Sequence, residues 1–189
     1  EESHEQTKVK LASLRKSGEL KAEVKAEPKK KVIPVFDSDM EKTLQKDLIS
    51  NKDDAYDRHF SLIALQNFYY KYRDVDEKYV DKCIIACNED INSLPNVQRD
   101  YRKQEIKIIK QLSKYHSSLE NDAKVSNVGY FIGVIPAFSR LAIIYEKNKK
   151  YSDALNVCDQ AIKYYSSYGM SSQSQEFEER KEKLLKKVM

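Results

Sequence analysis

The chain has 189 residues, of which 34% are charged and 40% are hydrophobic, and it contains four Gly, four Pro and no Trp. Its length allows one domain of ordinary size plus a tail. So few turn-forming residues exclude an all-β fold and favour helices, and no apolar run approaches the ~20 residues of a membrane-spanning helix.

The formal net charge of +4 is concentrated at the N-terminal end. Residues 1–36 hold nine Lys or Arg and six Asp or Glu, whereas residues 37–189 hold 25 and 24. A protein that binds nucleic acid by neutralising phosphates needs a basic stripe on its folded part, so the nearly neutral residues 37–189 argue against nucleic acid as the partner. The run Lys29 to Lys31 keeps one alternative open, a weakly basic protein that associates with nucleic acid through these lysines.

Residues 1–36 are rich in Lys and Glu and predict a charged tail or linker that is partly helical or disordered. Residues 37–189 predict a helical domain. Because the first residue is Glu, we expect the chain to be a fragment or a processed form. At the start of the domain, Ser38 and Glu41 have the spacing of a capping box, which predicts a short helix at residues 39–50.

Residues 54–95 carry apolar side chains at three- and four-residue steps in two stretches separated by a polar turn. This periodicity predicts two helices, at about residues 54–73 and 75–93, that pair as an antiparallel hairpin, with Pro95 ending the second. The residues predicted to face inward are Tyr56, Phe60, Ile63, Ala64, Phe68 and Tyr72 on the first helix and Tyr79, Val80, Cys83, Ile84, Cys87 and Ile91 on the second.

Three cysteines, Cys83, Cys87 and Cys158, lie in apolar helical contexts, and this odd number indicates a reduced, cytoplasmic compartment. Cys83 and Cys87 are spaced i and i+4 on one helix face, which could hold a metal ion. No His or further Cys lies nearby in the sequence to complete a four-ligand site, so we expect two small core residues and neither metal nor cofactor.

A further helix is predicted at residues 96–119, where apolar residues have the spacing of a helix seam: Tyr101, Ile108, Leu112, Tyr115 and Leu119. Residues 120–135 are rich in Asn and Gly yet too apolar for a freely solvated loop, so we expect them to be packed, either as an ordered connection or as an early start of the next helix. Two helices follow at residues 136–147 and 152–167, with Pro136 in the first turn of one and Ser152 as the N-cap of the other.

Gly169 is predicted to end the second of these helices. A last helix at residues 172–188 has many charges on one side and apolar residues on the other, as expected for the terminal cap of a helical stack. Its apolar residues are Phe177, Leu184, Leu185 and Val188.

The stretch from Pro136 to Ser167 resembles a tetratricopeptide repeat, a helix-turn-helix unit of about 34 residues. The aromatic, Leu, small and Tyr positions of its first helix match Phe138, Leu141, Ala142 and Tyr145, and its second helix matches Tyr151, Ala154, Cys158 and Ala161. Lys149 stands in the turn where the family often has Gly. Residues 54–95 resemble the same unit more loosely, through Leu62, Leu65, Tyr69, Cys83, Cys87 and Pro95.

The resemblance implies an all-α fold, a short and degenerate right-handed array of antiparallel hairpins with a C-terminal capping helix. The order of the two hairpins along the chain is similar to that in C-terminal modules of uncharacterised bacterial proteins. Since members of the family bind partners on the inner face of each first helix, it also implies a scaffold that binds a protein or peptide. The candidate groove residues are Asn67, Tyr70, Ser139, Arg140, Ile143, Glu146 and Lys147.

Catalysis is not expected, because an enzyme needs a convergent set of acid, base or nucleophilic groups. The three histidines, His4, His59 and His116, fall in separate segments without metal-ligand spacing, and no Gly-rich phosphate loop is present. A further alternative is a homo-oligomerisation module, because the exposed edge of a helical repeat can pair with its copy in a homodimer.

Overall fold

The computed structural model describes residues 34–115 and 128–188, and these ranges contain six α-helices and no β-strand. The helices are α1 (Ser38–Ser50), α2 (Ala55–Lys71), α3 (Glu77–Ser113), α4 (Pro136–Lys147), α5 (Tyr151–Ser167) and α6 (Ser171–Val188). The all-α prediction is therefore confirmed. The charged tail predicted at residues 1–36 lies outside the described residues apart from its last three.

Aspartate side chains cap the first three helices. Asp37 accepts a hydrogen bond from the Met40 amide at 2.9 Å, and Asp54 and Asp76 cap α2 and α3 in the same way. The predicted cap at Ser38 is wrong by one residue, because Ser38 is already helical and its carboxylate neighbour takes the cap position. A carboxylate there also interacts favourably with the helix dipole.

Helix α3 runs through Pro95, so the prediction that this proline ends one helix and a new helix follows is wrong. A proline inside a helix removes one backbone hydrogen bond. Leu94 and Val97, on either side of the proline, are both buried, and their packing offsets that loss. The result is a single helix of 37 residues.

The far end of α3 differs from the predicted seam. Ile108, Leu112 and Tyr115 are exposed by 48%, 49% and 83%, and Asp100 is the last buried residue of the helix. Their spacing is helical, as predicted, but none of the described helices packs over them, so their inward orientation is a wrong prediction. Leu119 lies outside the described residues.

The first hairpin, α2 with α3, buries more than the predicted faces. Cys83, Cys87, Tyr79, Phe68 and Tyr72 are buried as predicted. On α2 the burial is shifted by one residue, so that Leu62 and Leu65 are core residues while Phe60 is exposed and Ile63 and Ala64 are half-buried. The reason is that α2 is flanked by α1, α3 and α4, which cover faces that a two-helix hairpin would leave open.

Phe36, in the stretch predicted to be tail, packs into the aromatic part of this core. Its ring stacks on Tyr79 with centroids 4.6 Å apart and meets the edges of Phe68 and Tyr72. Nearby, Glu41 of α1 accepts hydrogen bonds from the Tyr69 hydroxyl at 2.9 Å and the Lys82 ammonium at 2.6 Å. These contacts fasten the N-terminal end of the described chain to the first hairpin.

The second hairpin, α4 with α5, has the small-residue core that its sequence predicts. Leu141, Ala142, Ala154, Cys158 and Ala161 are fully buried, and the hairpin packs against α3 on one side and α6 on the other. Tyr145, which the family pattern places between helices, is half-buried. Within α6, Phe177 and Leu184 are buried as predicted, whereas Leu185 and Val188 are exposed.

Both helices of this hairpin end in a Schellman turn. The Lys150 amide donates to the Tyr145 carbonyl and the Lys149 amide to Glu146, with Lys149 at a φ of +58°. Because the chain then re-enters a helix at once, α5 begins at Tyr151 and the predicted Ser152 cap is wrong. Gly169, at a φ of +72°, ends α5 in the same motif, as predicted.

Residues 128–135 form an ordered connection, the first of the two predicted alternatives, and the next helix begins only at Pro136. Several apolar residues of this connection remain exposed. Val128 and Ile135 are buried, while Ile132 and Val134 face solvent. The Gln98 side-chain amide holds the segment by accepting from the Phe131 amide at 2.9 Å and donating to its carbonyl at 2.8 Å. The predicted connection at residues 120–127 lies outside the described residues.

Candidate functional site

The predicted groove residues lie on α2 and α4, and Arg140 is engaged within the fold. Its guanidinium donates to the Gln66 side-chain oxygen at 2.7 Å and also to the Asn67 side-chain oxygen. The structure therefore brings two of the predicted residues, Arg140 and Asn67, into contact. Their hydrogen bonds join α4 to α2 and occupy both terminal nitrogens of the arginine.

Glu146, at the other end of α4, faces α6 instead. Its carboxylate accepts from Arg180 at 2.6 Å and lies 3.5 Å from the Lys187 ammonium. Six residues separate Arg140 from Glu146, which places them about 120° apart around the helix. The predicted set is thus divided between two faces of α4.

The remaining predicted residues offer little continuous surface. The Tyr70 ring lies under the Arg73 guanidinium, 4.1 Å from its centroid. Ser139 and Ile143 are half-buried, whereas Lys147 is exposed at the end of α4.

A buried polar network lies beneath Arg140. Gln66 donates to one oxygen of Asp90 at 2.9 Å, and the other oxygen of Asp90 lies 2.5 Å from Nδ1 of His59. Nε2 of His59 has no hydrogen-bond partner among the described residues. The imidazole ring packs against Phe60 and Phe131, with ring centroids 5.2 Å and 5.6 Å apart. His59 and Asp90 are both fully buried, so this pair connects α2 to α3 and offers no substrate access.

An open apolar cleft lies between α3 and α5, with a volume of about 260 Å³. Tyrosine rings and the apolar face of α3 around its proline form most of its wall. We call it the apolar cleft, and it is lined by Ile91, Leu94, Pro95, Phe138, Gln160, Lys163, Tyr164, Ser167 and Tyr168.

A second depression of about 340 Å³ shares Pro95 with the apolar cleft and continues along α3. We call it the basic recess, and it is lined by Pro95, Gln98, Arg99, Arg102, Lys103, Ile106 and Tyr130. A chain of aromatic contacts links the two depressions. The Tyr130 ring lies 5.0 Å from Tyr168, Tyr168 lies 4.9 Å from Tyr164, and Arg102 lies 4.8 Å over Tyr130.

The residues that line these two depressions include four cations, Arg99, Arg102, Lys103 and Lys163, and no carboxylate. Asp100 is close by, and Arg99 and Lys103 each lie 3.0 Å from its carboxylate. The hydrogen bond from Arg99, with further ones from Lys103 and a backbone amide, lowers the pKa of Asp100 to about 2 against its partial burial. One carboxylate is therefore shared between two cations, and the surface keeps a net positive charge.

Gln98 fixes the geometry where the two depressions meet. Besides holding Phe131, its side-chain nitrogen donates to the Tyr164 hydroxyl at 2.9 Å. Burial raises the pKa of Tyr164 to about 12, so this hydroxyl stays protonated at neutral pH. Gln98 thereby ties α3, the connection at residues 128–135 and α5 together at one point.

Sequence reasoning missed both depressions. On α3 the four-residue steps from Ile91 through Pro95 and Arg99 would have marked one continuous face, had Pro95 not been interpreted as a helix end. The tyrosines of the opposite wall lie about 70 residues further along the chain, at Tyr164 and Tyr168. No local pattern connects the two walls.

In the described ranges no three His, Cys, Asp or Glu residues lie close enough together to hold a metal ion. None of the described helices is sufficiently long and apolar to cross a membrane. Comparisons with protein-family models, with curated proteins and with solved structures gave no match to the chain.

Proposed function

We propose that the chain is a scaffold of the tetratricopeptide-repeat type that binds a protein or peptide and has no catalytic activity of its own. The order of packing supports this proposal, since α2 pairs with α3, α4 with α5, and α6 covers α5. The observation that carries the binding function is the apolar cleft. It lies between helices, where binding sites in helical proteins commonly form.

The dimensions of the surface suit a short extended peptide. From Ile91 to Ile106, α3 presents about 22 Å of wall at ~1.5 Å per residue. An extended chain of about seven residues spans the same length at ~3.3 Å per residue. The partly exposed rings of Tyr130, Tyr164 and Tyr168 supply contact area at a low cost in side-chain entropy.

The test is a selection of short random peptides displayed on phage against the immobilised full chain. We expect a family of related peptides to be enriched and to lose binding to the variant Gln160→Trp, whose ring would fill the cleft from its exposed α5 wall. The variant Gln111→Trp, on the exposed end of α3, is the matched control and should bind as the wild type does. Circular dichroism melts check that both variants fold.

Failure to enrich any peptide family on a correctly folded chain contradicts the proposal. Equal binding by wild type and Gln160→Trp would show that the peptides bind at a site other than the apolar cleft. The groove predicted from the sequence then becomes the next candidate, and it is tested with Lys147→Glu, a charge reversal that leaves the paired Arg140 and Glu146 intact.

The cytoplasmic location remains part of the proposal and is supported by the three free, buried cysteines. The alternative of nucleic-acid association through Lys29 to Lys31 stays a prediction, because these lysines lie outside the described residues. Homo-oligomerisation also stays a prediction. Light scattering on the full chain tests it directly, since a homodimer doubles the measured mass.

A further inference from the structure

We infer that the partner is an acidic peptide segment with one aliphatic or aromatic anchor residue, which fills the apolar cleft while its carboxylates lie over the basic recess. This inference rests on the proposed binding function and adds the chemical class of the ligand. It uses two neighbouring depressions that share Pro95 and differ in character.

The two depressions carry positive charge. Four cations and no carboxylate line the two depressions, although residues 37–189 as a whole carry 25 basic and 24 acidic residues. The positive charge is therefore concentrated locally on a nearly neutral domain. Such a distribution steers negatively charged partners to one place and rejects basic ones.

The cations lie at positions that a peptide bound in the two depressions would contact. Arg99 and Lys103 lie one helical turn apart on α3, and Lys163 lies on the α5 side of the apolar cleft. Arg99 keeps 57% and Lys103 keeps 67% of its side chain exposed, even while both pair with Asp100. An incoming carboxylate can contact either without a change in the fold.

The anchor follows from the lining of the apolar cleft. Ile91, Leu94 and Pro95 form one wall and the ring of Tyr168 stands opposite. Burying an aliphatic or aromatic side chain of the partner there is favourable by the hydrophobic effect, and Tyr surfaces commonly form the centre of such contacts. Acidic side chains alone would leave this cleft empty.

The surface is less suited to nucleic acid. The tyrosines pack mainly on one another, and the Tyr164 hydroxyl is already bonded to Gln98. Two of the four cations share Asp100. A phosphate backbone requires a longer track of unshared positive charge than these residues provide.

Fluorescence anisotropy on the full chain tests the inference with defined probes. The first probe is a fluorescein-labelled peptide in which glutamates flank a single central Phe. The second has lysines in place of the glutamates, and the third has Gly in place of the Phe. Labelled single-stranded oligothymidylate is the fourth. We expect the first probe to bind best, and its affinity to fall as the salt concentration rises.

Two double variants separate the cations that line the two depressions from the general charge of the protein. Arg99→Gln with Lys163→Gln should weaken the first probe about tenfold at low salt, the sum of two partly exposed ion pairs. Lys46→Gln with Lys52→Gln removes the same charge from exposed positions at α1 and the following turn, and should leave the affinity unchanged. Thermal melts of both variants check folding.

The outcomes distinguish this inference from the proposed function. If phage selection enriches peptides without acidic residues, or if the lysine probe binds as well as the glutamate probe, the inference is overturned and the binding function stands. If oligothymidylate binds more tightly and displaces the first probe, nucleic acid replaces the peptide. Enrichment of acidic peptides with an apolar centre supports the inference. If no peptide binds at all, the proposed function fails as well.

Discussion

Replacing Tyr165 by Phe tests whether the second hairpin is held to the connection before it through one hydroxyl group. Tyr165 is fully buried, and its oxygen accepts a hydrogen bond from the Ile135 amide at 2.9 Å. Ile135 is the N-cap residue of α4 and is also fully buried. The Tyr165 ring additionally packs on Phe138 and Phe177, and these contacts remain in the phenylalanine variant.

The expected loss is about 2 kcal/mol of unfolding free energy. The substitution removes the hydrogen bond from the Ile135 amide and a longer one, 3.5 Å, that the hydroxyl donates to the Ile135 carbonyl. It leaves the buried amide without this acceptor, and a buried unsatisfied donor costs about 1–3 kcal/mol. For a domain of this size, a loss of about 2 kcal/mol corresponds to a fall in melting temperature of about 4–8 °C. The cavity term is small, because the ring itself is kept.

Urea unfolding followed by circular dichroism measures the difference at neutral pH. The matched control is Tyr115→Phe, because Tyr115 is 83% exposed and its variant should unfold within about 0.5 kcal/mol of wild type. If Tyr165→Phe unfolds within the same margin, the hydroxyl does not hold the two segments together and the reasoning is refuted.

Alkaline unfolding gives a second readout. Burial raises the pKa of Tyr165 to about 12, above its usual value of about 10. As the pH rises, the unfolded chain therefore loses this proton before the folded chain does. The contribution of Tyr165 to the unfolding free energy is fully present below about pH 10 and falls as the pH rises toward about 12. Tyr165→Phe should lose less stability over this range than wild type does.

Three further predictions follow from other contacts. Lys149→Gly should raise the unfolding free energy by about 0.5–1 kcal/mol in urea, because Gly adopts the left-handed φ of this turn without strain, whereas Lys149→Ala should not. The pKa of Asp100 lies below its usual value, so its ion pairs should stabilise the fold above about pH 4 and lose this effect as the pH falls to about 2. Thermal melts should show a loss of about 1 kcal/mol over this range in wild type, and Asp100→Asn should not show this loss. Burial raises the pKa of Cys158 to about 11, so this thiol should resist iodoacetamide in the native chain and react fully in urea, as mass spectrometry would report. The Cys87 thiol should likewise resist iodoacetamide in the native chain and react in urea, since hydrogen bonding to Cys83 and burial raise its pKa.

Local features of the fold could be predicted because they depend on neighbouring residues. Ala154 and Ala161 lie at helical spacing and are buried, and Pro136 and Gly169 mark the start of α4 and the end of α5. These positions are governed by backbone geometry and by periodicity.

The boundary at Pro95 could not be predicted from local preference. In isolation the proline disfavours a helix, but burial of Leu94 and Val97 reverses the outcome. The network of His59, Gln66 and Asp90 was equally hidden, since each residue alone resembles a surface polar residue. Its members lie up to 31 positions apart and meet only when α2 packs on α3.

The sequence by itself therefore determined the helical class of the protein and the small-residue core of its second hairpin, because 3.6-residue periodicity is a local property. Tertiary structure alone decided that α3 continues through Pro95, that Arg140 and Glu146 face different neighbours, and that the apolar cleft exists. The physical reason is distance along the chain. Leu94 and Tyr164 form opposite walls of that cleft although 70 residues separate them, and only packing of α3 near α5 brings them together.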